Sequence, residues 1–126
     1  MSNREQELLD LNQKLLNAIV CGDWEVYRQL CDEDLTCFEP EAGNNQVRGL
    51  LFHKYFFTNV KTNTDNVAHM IAPIVKFMND NACVITYTRL MQQNPSNPVM
   101  TSFQETRIWQ LKENGWKHIH FHKSKL

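Results

Sequence analysis

The sequence predicts an α+β protein, helices first and strands after, on three observations. Three segments before residue 60 carry apolar residues at helical spacing, whereas everything beyond residue 65 alternates with a period of two. Short turn signals, Asp80-Asn81 and Asn114-Gly115, divide the second half and join its strands into an antiparallel meander. Several of those strands exceed the usual five or six residues, and long antiparallel strands twist and coil. A strongly curved antiparallel sheet with N-terminal helices on its concave side makes a cone with a cavity. That is the expected architecture.

Ser2 followed by Glu5 has capping-box spacing and starts the first helix. Leu8, Leu11, Leu15, Ala18 and Ile19 form its stripe, flanked by Leu9 and Leu16, as far as Cys21. Gly22 stops it and Asp23 caps a second, short helix, WEVYRQLC, with Trp24, Tyr27 and Leu30 on one side. Residues 35 to 39 read as extended up to Pro40, and EAGNNQ as loop. Residues 48 to 59, RGLLFHKYFFTN, predict a third helix, apolar nearly all round, as when several faces are covered. KTNTDN closes it. Strands follow over 66 to 78, with a bulge, edge or break at Pro73, then over 82 to 92, 99 to 112 and 116 to 123. QNPSNP is an open loop.

The chain has 126 residues, enough for one domain spanning 1–126. Its net charge of −1 provides no field for nucleic acid or an acidic membrane. No apolar run approaches a membrane span, and MSNREQELLD is unlike a targeting peptide. The expectation is a soluble, cytoplasmic protein. Cys21, Cys31, Cys37 and Cys83 form no C-x-x-C pair and read as reduced, mostly buried thiols.

One pattern cuts across the alternation. In SFQETRIWQL, the face that carries Phe103, Trp109 and Leu111 also carries Glu105 and Arg107. In ACVITYTRLM, Tyr87 and Arg89 share the parity of Cys83, Ile85 and Met91. In WKHIHFHK, Lys123 follows Ile119 and Phe121. Three successive strands thus place a cation in line with bulky apolar residues. Arg89, Arg107 and Lys123 converge on a wetted pocket that takes an anion, or form structural ion pairs, with Glu105 neutralising Arg107, or sit at strand ends that reach solvent. His53, by helical spacing, faces the sheet as a core residue or as a wall of that pocket. His118, His120 and His122 share one face by simple alternation, together with Trp116, but no cysteine or carboxylate lies near them in sequence. We expect no metal there. No phosphate loop or nucleophile elbow is present.

Six pieces, GDWEVYRQLCD, LTCFEPEA, the V-x-G-x-x-FH-x-x-F stretch from Val47, ACVITYTRL, ETRIW and GWKHIHFHKS, occur in one order over nearly the whole length. In them the sequence resembles the association, or hub, domain of calcium/calmodulin-dependent protein kinase II, as an excised hub or a stand-alone homologue. The resemblance implies a nuclear transport factor 2-like cone that assembles with itself into stacked rings, usually a dodecamer or tetradecamer. It implies no catalysis, no cofactor and no kinase or calmodulin-binding segment in this chain. It also implies a cationic pocket for small carboxylates, with His53, Arg89, Arg107 and Lys123 matching by motif and with Tyr87 and Glu105 beside them. The third arginine of that pocket is Lys123 here, a point charge in place of a fork. Arg48 stands where an acidic residue is usual, and a tryptophan after the third helix is replaced near Lys61. The outer sheet face, with Val84, Leu90, Ile108 and Trp116, is the expected source of self-complementary surface. The competing function is a small-molecule isomerase or dehydratase on the same cone, with His53 and Glu105 as acid–base groups.

Overall fold

The computed structural model describes residues 3–59, 67–92 and 100–125. Ser2 of the predicted capping box, the KTNTDN turn and the QNPSNP loop lie outside them. Among the described residues, three α-helices, α1 (Asn3–Cys21), α2 (Trp24–Leu30) and α3 (Leu51–Asn59), accompany six strands. These are β1 (Cys31–Phe38), β2 (Gln46–Arg48), β3 (Val67–Asn79), β4 (Ala82–Gln92), β5 (Met100–Lys112) and β6 (Gly115–Lys125). They form one sheet in the order β2-β1-β6-β5-β4-β3. The predicted meander is present, but β1 adds to it in parallel beside β6, so the sheet is not wholly antiparallel. Nothing local in the sequence reports that long-range pairing.

The helix boundaries follow from local chemistry. Gly22 takes a φ of 72°, which releases the chain from α1, and the Asp23 carboxylate accepts the Val26 amide at 3.2 Å to open α2. Leu8, Leu15 and Leu16 of α1 are fully buried against the sheet, each contributing roughly 1.5–3 kcal/mol. The buried Trp109 indole donates to Asn12 at 3.0 Å, so both polar groups are satisfied inside this core.

The third helix differs from expectation. It begins at Leu51, because 46–48 pair with β1 as β2, and Gly49 at φ 86° makes the corner. Its apolar residues are not all covered either. Only His53 is buried, while Leu51 and Tyr55 are 85% and 67% exposed.

Besides a register shift at Met78 near the end of β3, two bulges change which residues face the helices. Between Ile71 and Ile74, β3 spends one residue more than β4, at Ala72 and Pro73, with Ala72 at φ 53°. This is the irregularity Pro73 announced. On β6, Ile108 of β5 opposes His120 while Trp109 opposes His118, leaving Ile119 as the extra residue. His118 is therefore turned into the core, fully buried, whereas His120 and His122 lie on the outer face. The three histidines do not share a face. Trp116 is displaced from expectation as well: it pairs with Leu111 and touches Phe77 on the helix-covered side.

Candidate functional site

Tyr27 of α2, His53, Phe56 and Phe57 of α3, and Arg89, Arg107, Phe121 and Lys123 of β4, β5 and β6 surround a cavity of about 50 Å³. Ile19, Glu39 and Glu41 complete its lining. That volume suits a few waters or the head of a small acid. The structure thus brings the three predicted cations and His53 to one place. Tyr87 and Glu105 lie behind the wall rather than on it.

The two arginines are held by one carboxylate. Glu105, 2% exposed, accepts from Arg89 Nη1 at 3.1 Å and from Arg107 Nη2 at 3.0 Å. The Tyr87 hydroxyl donates to the same carboxylate at 2.6 Å and accepts from Arg107 Nε at 2.9 Å. Burial alone would raise the Glu105 pKa, but Arg107 and Arg89 outweigh it and hold the carboxyl at about 2. Arg107 also lies over the Phe121 ring, 4.4 Å from its centroid. The arginines therefore form structural ion pairs, as one sequence alternative held, and they also line the cavity. Arg89 Nε is a buried donor without a hydrogen-bond partner among the described residues.

Two carboxylates escaped the sequence reading. Pro40 ends the extended run and starts a 3-10 turn, Pro40–Ala42, which points Glu39 and Glu41 toward β6. Phe38 pairs with His122 across the parallel β1–β6 seam, and this adjacency puts both glutamates at Lys123. Lys123 Nζ donates to Glu41 Oε1 at 2.6 Å and lies 4.0 Å from Glu39 Oε2. The F-E-P-E spelling carried the signal, but only the strand pairing gave it a partner. Three cations thus meet three carboxylates.

Burial outweighs Lys123 at Glu39 and pushes its pKa up to about 7, with Glu41 adding to the rise. At Glu41 burial also pushes upward, but Lys123 prevails and the pKa falls below the usual carboxylate value. His53 sits between Cys37, whose sulfur is 3.7 Å from Nε2, and Glu39, 3.9 Å from Nδ1. Burial, then Arg107 and Lys123, lowers its pKa to about 4, so the ring is neutral at physiological pH. Cys37, Glu39 and His53 place potential ligand atoms within 4.8 Å of one another. Cys37 and Glu39 approach opposite ring nitrogens, however, beside two cations. An ion on one nitrogen would have to draw the other donor around the ring.

The model of the calcium/calmodulin dependent protein kinase II association domain matches residues 4–126. The chain belongs to that family. The match is to the association domain and not to the kinase domain. A curated relative, the rabbit (Oryctolagus cuniculus) calcium/calmodulin-dependent protein kinase type II subunit delta, is 37% identical over 125 residues. Those residues are 96% of this chain but 24% of the relative, so the chain spans about a quarter of it. The Chlamydamonas reinhardtii CamKII hub homology domain superposes with a TM-score of 0.93 at 39% identity, covering 98% of this chain and 99% of that one. An NTF2-like protein from Cytophaga hutchinsonii, 21% identical with a TM-score of 0.75 over the whole of both chains, shares the fold alone. The nuclear transport factor 2-like cone expected from the sequence is the fold of this association domain. Among the described residues no helix is long and apolar enough to cross a membrane.

Proposed function

We propose that this association domain is a homo-oligomerisation hub, closing into a ring-like scaffold of the stacked dodecamer or tetradecamer type, with an internal pocket for small carboxylates. The observation that carries the scaffold is the set of apolar side chains exposed along β3. Ile71, Ile74 and Met78 on β3 are 46%, 55% and 57% exposed, beside half-buried Val84, Leu90 and Ile108. Homo-oligomers bury exposed apolar side chains of this kind against themselves. Light scattering on the eluting full chain at micromolar concentration tests this. A mass in the dodecamer to tetradecamer range is expected, and a monomer or simple dimer overturns the reading.

The pocket rests on the unpartnered Arg89 Nε and on Arg107 and Lys123 at the same cavity. A carboxylate would give Arg89 Nε an acceptor beside the charges of Arg107 and Lys123, and a buried donor left without one costs about 1–3 kcal/mol. Calorimetric titration with butyrate should show binding that Arg107→Ala abolishes, and unchanged binding removes the pocket. The match to an association domain favours this non-catalytic reading over an isomerase or dehydratase of the same fold.

A further inference from the structure

The two ends of the cavity carry opposite imbalances. Arg89 and Arg107 share the single carboxylate of Glu105, which leaves one positive charge at the inner end. Lys123 faces both Glu39 and Glu41, which leaves one negative charge at the outer end when both are ionised. The empty pocket is then neutral. A monoanion bound between Arg107 and Lys123 would make it net negative in a buried place, which is costly unless a carboxylate nearby becomes neutral.

Glu39 is placed to be that group. It is 7% exposed, it hydrogen-bonds Glu41, and its nearest cation contact is the loose 4.0 Å approach to Lys123. Glu41 by contrast is gripped by Lys123 at 2.6 Å. The other groups facing Glu39 are Arg107 from β5, Tyr27 from α2, and His53 and Cys37 across the imidazole. Among these, the thiol and the phenol are held neutral by burial, and His53 is neutral above about pH 4.

We propose that Glu39 couples ligand binding to proton uptake: the pocket admits a small monocarboxylate together with one proton, which Glu39 takes, and so discriminates against dicarboxylates. This inference rests on the pocket reading above. A second ligand charge would require Glu41 to protonate while Lys123 holds it ionised. Support comes from the Glu39 pKa of about 7 in the empty pocket, since a bound anion beside it raises that value further. Below pH 6 Glu39 already carries its proton, and affinity should be flat down to the ligand's own pKa. Above pH 7 the proton must be taken from solvent, so affinity should fall, approaching tenfold per pH unit.

Isothermal titration calorimetry of the full chain with butyrate, from pH 6 to pH 8.5 in phosphate and in Tris, reads this directly. The expected result is buffer-dependent heat from proton uptake and a steep loss of affinity above pH 7, with succinate at least about tenfold weaker than butyrate. Glu39→Gln should bind butyrate with no proton uptake and no pH dependence. Should that variant fail to fold, Glu41→Gln removes the same excess charge and should abolish the uptake as well. Butyrate binding that is flat from pH 6 to pH 8.5, persistence of proton uptake in the folded variant, or succinate binding as well as butyrate overturns the proposal while leaving the pocket intact. Absence of butyrate binding to parent and variants at every pH overturns the pocket itself.

Discussion

Glu105 decides the chemistry of the inner cavity wall, because one buried carboxylate neutralises two buried guanidinium groups. Glu105→Gln keeps the shape and leaves Arg89 and Arg107 without a counter-charge, so a loss of about 3–5 kcal/mol in a neutral-pH thermal or denaturant melt is expected. The pH dependence has a definite sign. The folded pKa of about 2 lies below the reference value of 4.5, so this stabilisation is complete above 4.5 and is lost as pH falls toward 2. An acid titration of the parent should therefore unfold it in that window, and the Gln variant should show no matching loss. Glu105, Arg89 and Arg107 were legible in the sequence because β4 and β5 pair without interruption, so parity alone assigns their faces. Glu39 and Glu41 were not, since their importance depends on a neighbour more than eighty residues away.

At the scale of the element, the two bulges separate what alternation can report from what it cannot. On β3, Ala72 holds a left-handed backbone, φ 53°, which a Cβ tolerates poorly and a β-branched side chain hardly at all. Ala72→Val should cost about 1–2 kcal/mol and Ala72→Gly should be neutral or slightly stabilising, as read by urea midpoints. Pro73 marked this site because proline interrupts a ladder. The β6 bulge had no such marker. Nothing in K-H-I-H-F distinguishes Ile119 as an extra residue, and so an even alternation placed three histidines on one side and Trp116 on the wrong side. The uncovered side of α3 was misread for a different reason: an apolar helix reports that something covers it, without saying whether this chain supplies the cover.

For the whole molecule, the question is what covers Ile71, Ile74 and Met78. If copies of the chain do, Ile74→Glu should shift the light-scattering mass to smaller species while circular dichroism and the melting transition of the subunit persist. A change in neither mass nor elution would place the contact elsewhere. The helices-then-strands order and the cone were legible because each follows from local periodicity, whereas the sixth strand's partner was not. That partner has a consequence for biosynthesis. Cys31 and Thr36 align with His118 and His120, so on a translating ribosome β1 and β2 wait as an orphan hairpin until β6 is made. Until β6 is made, the hollow has an acidic lip and no opposing lysine. A nascent chain arrested before residue 115 should be open to proteases along 31–48, and the seam should zip only as its last long ribbon leaves the exit tunnel.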